Sequence, residues 1–105
     1  MVYRVIVTPD AQKDLRHSAA YIRRDSRSAA DRWLKQMRAR IRTLSRHPER
    51  CALAPESETF GEPVRELLCG SGNRGTYRVI FVVIDNVVYV SHVRHGSMLP
   101  LTPEA

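Results

Sequence analysis

The stretch Gly75-Thr76-Tyr77-Arg78-Val79-Ile80-Phe81-Val82-Val83-Ile84-Asp85-Asn86-Val87-Val88-Tyr89-Val90-Ser91-His92-Val93-Arg94-His95-Gly96 decides the fold. Two runs rich in β-branched and aromatic residues flank Asp85-Asn86, and a two-residue loop of that kind joins antiparallel strands. The turn pairs Ile84 with Val87, and strict alternation then sorts the side chains. One face should carry Tyr77, Val79, Phe81, Val83, Val88, Val90, His92 and Arg94. The other should carry Arg78, Ile80, Val82, Ile84, Val87, Tyr89, Ser91, Val93 and His95. The first holds Phe81 among valines and is the expected seat of the helices. The second would bring Arg78 and His95 to one end of an open face, with Arg78 opposite Val93. On the core face, His92 and Arg94 are expected to meet a helix carboxylate such as Asp14 or Asp25.

Upstream, Tyr3 to Val7 reads as a first strand that stops at Thr8-Pro9-Asp10. A threonine hydroxyl can accept a free amide there, proline at the first helical position needs no N–H, and an aspartate suits the positive helix start. Ala11, Leu15, Ala19 and Ile22 then form one helical stripe running to about Arg24. The polar break Asp25-Ser26-Arg27-Ser28 offers a cap for a second helix. Its stripe is Ala30, Trp33, Leu34, Met37, Ile41 and Leu44, and it ends at His47-Pro48. So short a break predicts an antiparallel helical hairpin.

Residues 48–63 hold three prolines and four glutamates and read as an irregular connection. Val64 to Cys69 is a short strand, and Gly70 to Gly75 a flexible turn. Pro100 and Pro103 make residues 97–105 a tail after a single domain over residues 1–96. The order is β-α-α-β-β-β: an α+β fold with a helical hairpin on one face of a small, mainly antiparallel sheet.

The chain of 105 residues suits one core. Its longest apolar run, Val79 to Ile84, is far below the ~20 residues that span a bilayer. With no signal-peptide layout at the N-terminus, no membrane association and a cytoplasmic location are the expectations. Cys51 and Cys69 have neither C-x-x-C spacing nor a histidine cluster, so no metal or other cofactor is expected. Cys69 should be a small buried residue and Cys51 a loop residue. The net charge of +6 is unevenly placed: residues 1–50 carry +8 and residues 51–105 carry −2. A basic half suits an acidic partner, and Arg38 and Arg42, off the second helix's apolar stripe, are candidate contacts for one.

The segments Val64-Arg65-Glu66-Leu67, Tyr77-Arg78-Val79-Ile80-Phe81 and His92-Val93-Arg94-His95-Gly96, in this order and within this pattern of elements, resemble the RelE/ParE superfamily of bacterial toxins, the toxin halves of type II toxin–antitoxin pairs. The resemblance covers the chain from Tyr3 to about Ser97. It implies a cognate antitoxin as partner, whose C-terminal segment wraps the toxin. It also implies one of two activities. ParE-like members bind DNA gyrase and poison it; RelE-like members cleave messenger RNA on the ribosome.

Cleavage through the RNA 2′-hydroxyl needs a base, an acid and cations for the phosphate. The resemblance assigns Arg78 and Arg65 to the cations, and position makes His95 the candidate acid or base. Leu67 stands where RelE-like members carry another basic residue, and no Arg, Lys or Tyr follows Gly96. The Arg94-His95-Gly96 ending is closer to ParE-like, plasmid-stabilisation toxins, although those often continue with arginines. The expectation is therefore a ParE-like toxin, with Arg78, Arg94, His95, Arg38 and Arg42 as contacts for target or antitoxin. The alternatives are a RelE-like mRNA endoribonuclease using Arg65, Arg78 and His95, or an inactive toxin-fold protein that only binds antitoxin.

Overall fold

The computed structural model describes residues 1–70 and 75–103. Strand β1 (Arg4–Val7) leads into α1 (Pro9–Arg23), and α2 (Arg27–Arg42) follows. Single 3-10 turns occupy Thr43–Ser45 and Pro48–Arg50; a short α3 (Glu56–Phe60) precedes β2 (Arg65–Cys69), β3 (Tyr77–Ile84) and β4 (Val87–His95). The expected order holds, with α3 added inside the segment read as irregular. The part of the predicted turn at residues 71–74 lies outside the described residues.

The caps form as their chemistry requires. The Ala11 amide donates to Thr8 Oγ1 at 3.3 Å, and the Ala29 amide to Ser26 Oγ at 3.2 Å. The Thr8 hydroxyl also donates to the Val90 carbonyl at 2.8 Å, so one side chain both starts α1 and ties it to β4. The second helix ends at Arg42, earlier than His47-Pro48; its 3-10 continuation stops at Arg46, whose backbone is extended, and His47 follows left-handed at φ 47° before Pro48.

The sheet has the order β1-β4-β3-β2. β1 runs parallel to β4, while β3 is antiparallel to both β4 and β2. The helical hairpin covers one face. Ala11, Leu15, Ala19 and Ile22 of α1 and Ala30, Trp33, Met37 and Ile41 of α2 close on Val79, Phe81, Val88 and Val90. Cys51 and Cys69 both belong to this core. Cys51 lies in an irregular segment, as expected, but is buried there, and Arg65 Nη1 donates to its carbonyl at 2.7 Å. Among the described residues no helix is long and apolar enough to cross a membrane.

The hairpin register departs from strict alternation. Ile84 pairs with Val87 as the turn dictates, and pairing continues to Phe81↔Val90. The next pair is Ile80↔His92: Ser91 is an extra residue, and a bulge sits there. One inserted residue exchanges the faces of everything beyond it. Val93 and His95 therefore join Tyr77 and Val79 on the helix side. His92 and Arg94 join Arg78 on the outer face, with Arg78 opposite Arg94 rather than Val93. The predicted sharing of one face by Arg78 and His95 is thus corrected. So is the predicted pairing of His92 and Arg94 with a helix carboxylate: Asp14 Oδ2 instead accepts the Val93 amide at 2.9 Å.

The outer face is covered in part. Ala54, Val64 and Ile80 form a second, smaller core against Val82 and Leu101. The residues after Gly96 turn back over it: Arg94 Nη2 donates to the Leu99 carbonyl at 2.9 Å, and the Leu101 amide reaches Glu56.

Candidate functional site

Three places bring the candidate residues to the surface or into mutual contact. The first is the outer face around Arg78. Its guanidinium is buried, and carboxylates occupy two of its edges. Nη2 and Nη1 bind Glu56 Oε1 and Oε2 at 2.6 and 3.1 Å, and Nε binds Glu66 Oε1 at 2.7 Å. Glu56 is fully buried and also accepts the Leu101 amide at 2.9 Å. Burial by itself would push the Glu56 carboxyl up. The Arg78 hydrogen bonds, the amides of Leu101 and of Glu56 itself, and the guanidinium's charge outweigh it and hold the group at about 2. The Glu56 hydrogen bonds likewise raise Arg78 against the cost of burial. Two carboxylates around one guanidinium leave the centre formally negative.

Arg65 lies apart from this network. It pairs with Phe81 and donates to the carbonyls of Glu49 and Cys51 at 3.3 and 2.7 Å. Arg65, Arg78 and His95, grouped in sequence as one centre, are distributed over both faces of the sheet. Glu56 and Glu66, the partners that define Arg78, were not singled out from sequence. Glu56 is 22 residues from Arg78, and no local pattern links them.

His95 belongs to the second place, a groove of about 380 Å³ between α1 and the far end of the hairpin. α1 contributes Asp14, His17, Ser18 and Tyr21, and the sheet contributes Tyr77 and His95. The α1 residues recur at helical spacing, one row beside the core stripe. Tyr77 stands edge-on to both Trp33 and His95, each at a centroid distance of 5.0 Å. The His95 ring is held in place. The Ser97 amide donates to Nδ1 at 3.0 Å, with Ser97 Oγ 2.7 Å away, which puts the neutral ring's proton on Nε2. Gly75, at φ 78°, passes so close that a Cβ there would lie 2.9 Å from His95 Nε2. His17 and Tyr21 were missed in sequence; their i, i+3, i+4, i+7 row with Asp14 and Ser18 was the available signal.

The third place is a groove of about 220 Å³ between β1, α1 and α2. Val5, Val7, Leu15 and Ile41 form its apolar floor, with Arg38 and Arg42 beside them. Both arginines are exposed. Among the described residues neither makes an ion pair, because the acidic residues that do so are Asp31, Glu56 and Glu66.

Chemically these places differ. Burial raises the thiols of Cys51 and Cys69, which makes both poor nucleophiles. Among the described residues no group of three or more His, Cys, Asp or Glu could hold a metal ion.

A helical hairpin laid on a four-stranded mixed sheet is consistent with the fold of the RelE/ParE-like toxins. Residues 5–100 match the family described as the ParE toxin of type II toxin-antitoxin system, parDE, and the chain belongs to that family. No curated protein matches the sequence.

Proposed function

We propose that the chain is the toxin of a type II toxin–antitoxin module that acts by binding its target, with DNA gyrase as that target, and that a cognate antitoxin neutralises it. The observation that carries this reading is the ParE match over residues 5–100. The placement of the polar residues supports binding over cleavage. A ribonuclease centre would gather cations around one phosphate. Here Arg78 is enclosed by two carboxylates, Arg65 is spent on backbone carbonyls, and His95 faces the helices.

For the antitoxin, the groove beside Arg38 and Arg42 has the required chemistry. An amphipathic acidic segment would lay apolar side chains on the half-buried Val5 and Val7 and pair its carboxylates with the two arginines. Arg94, held on the outer face by its bond to the Leu99 carbonyl, is left to the target.

The test is a supercoiling and DNA-cleavage assay with purified gyrase, run beside induced expression with messenger RNA followed in parallel. Accumulated cleaved DNA complexes and intact messengers are expected. Normal supercoiling in the presence of excess protein refutes the gyrase reading; translation-dependent messenger cleavage would replace it with the ribonuclease reading.

A further inference from the structure

The groove between α1 and the end of the hairpin has no part in the function proposed above, yet its lining is unusual for a protein surface. Asp14, His17, Ser18 and Tyr21 stand in one row on α1 and face Tyr77 and His95. Four of those six side chains carry flat rings. Tyr21 is 67% exposed, so burial does not account for it. The wall opposite is rigid: the Tyr77 ring is wedged edge-on between Trp33 and His95, and the His95 ring is fixed by Ser97.

Two polar features give this aromatic cleft a direction. Asp14 is anchored through Oδ2 on the Val93 amide, which leaves Oδ1 as an acceptor at the groove. A cation stands beside the row: the Arg24 guanidinium lies over the Tyr21 ring at 5.8 Å. Exposed flat rings, one fixed carboxylate acceptor and a neighbouring guanidinium match a nucleobase and an adjoining phosphate. Tyr21 and His17 would stack on the base, the carboxylate would accept from a base N–H, and Arg24 would meet the backbone. A duplex keeps its bases stacked on one another, so only an unpaired strand can supply one.

We propose that this groove binds a single unstacked nucleobase of a single-stranded nucleic acid. The site is separate from the antitoxin groove beside Arg38 and Arg42 and does not depend on gyrase being the target.

The experiment measures fluorescence anisotropy of a labelled eight-nucleotide strand, in deoxyribo- and ribo- forms, against the same backbone made abasic. The protein is used whole, as wild type, Tyr21→Ala and Tyr21→Phe. Base stacking on an aromatic side chain is strong enough that the wild type should prefer the base-bearing strand by about ten-fold. Tyr21→Phe should keep that preference, and Tyr21→Ala should lose it while binding the abasic strand as before. Tyr21 is exposed enough for both variants to fold, which an unchanged thermal midpoint would verify. Base preference in either sugar form, lost in Tyr21→Ala, supports the site. Equal binding of abasic and base-bearing strands overturns it, as does a preference that survives Tyr21→Ala. In either case the protein reads only phosphate charge, or the groove serves an aromatic side chain of a protein partner.

Discussion

Glu56→Gln should separate a structural role of the Arg78 network from every functional one. At neutral pH the Glu56 carboxylate receives two hydrogen bonds from Arg78 and one from the Leu101 amide. Glutamine offers one acceptor oxygen and turns an N–H₂ group toward a guanidinium that is itself only a donor. The carboxyl is depressed from 4.5 to about 2 in the folded protein. By linkage a depression of that size corresponds to roughly 3 kcal/mol. Removing one member of a buried ion pair costs ~3–5 kcal/mol. Because Arg78 keeps Glu66, the lower end applies, so the loss expected at neutral pH is ~3 kcal/mol by either route.

The sign of the pH dependence follows from the depressed carboxyl. Its contribution is complete above the unfolded value of 4.5 and disappears as pH falls toward about 2. The wild type should therefore lose this stability across that interval, and the glutamine variant should lack that part of the acid limb. Urea unfolding of both proteins, from neutral pH down to about pH 3, measures the gap. With a slope of about 1–2 kcal/mol per molar urea, the neutral-pH midpoints should differ by about 2 M. A gap below ~1 kcal/mol at neutral pH would refute the reasoning. So would a gap that stays constant down to about pH 3, because the carboxylate would then not be the group that matters.

Replacing both groove arginines, as Arg38→Glu with Arg42→Glu, should weaken an acidic antitoxin segment by ten-fold or more, on the ~1–3 kcal/mol that charged hydrogen bonds contribute. Both residues are exposed, so the melting temperature should barely move, and calorimetric titration with the cognate antitoxin checks the affinity. Thr8→Ala removes the α1 cap together with the hydroxyl's bond to Val90. It should cost about 1–2 kcal/mol in equilibrium unfolding, with faster amide exchange at the start of α1.

Much of the fold was legible because its signals are local. Thr8-Pro9, the two apolar stripes and the Asp85-Asn86 turn each specify their element within a few residues. What failed was register. Strict alternation through Ser91 assumes a regular strand, whereas the bulge there exchanges Val93 and His95 with His92 and Arg94. The sequence held a hint: Val88 and Val90 are two apart, but the next core valine, Val93, is three further on. The Arg78 site was hidden for another reason. Its partners come from α3, β2 and the residues after Gly96, and only tertiary packing brings them to one guanidinium. Arg78 stands out in the sequence as a cation on an apolar strand; the two carboxylates that enclose it do not.

The position of β1 governs when the protein can form during synthesis. β1 has one neighbour in the sheet, and that neighbour is β4, with Arg4 set beside Val87. The first strand to be made must wait for the last. Contacts so distant along the chain have to overcome a large loop-closure entropy before they stabilise anything. A nascent chain that has released only the helical hairpin has no sheet to lay it on, and a product truncated before β4 leaves β1 unpaired and the Phe81 core open. Folding therefore waits for β4, and a product that stops before it is expected to stay unfolded rather than partly competent.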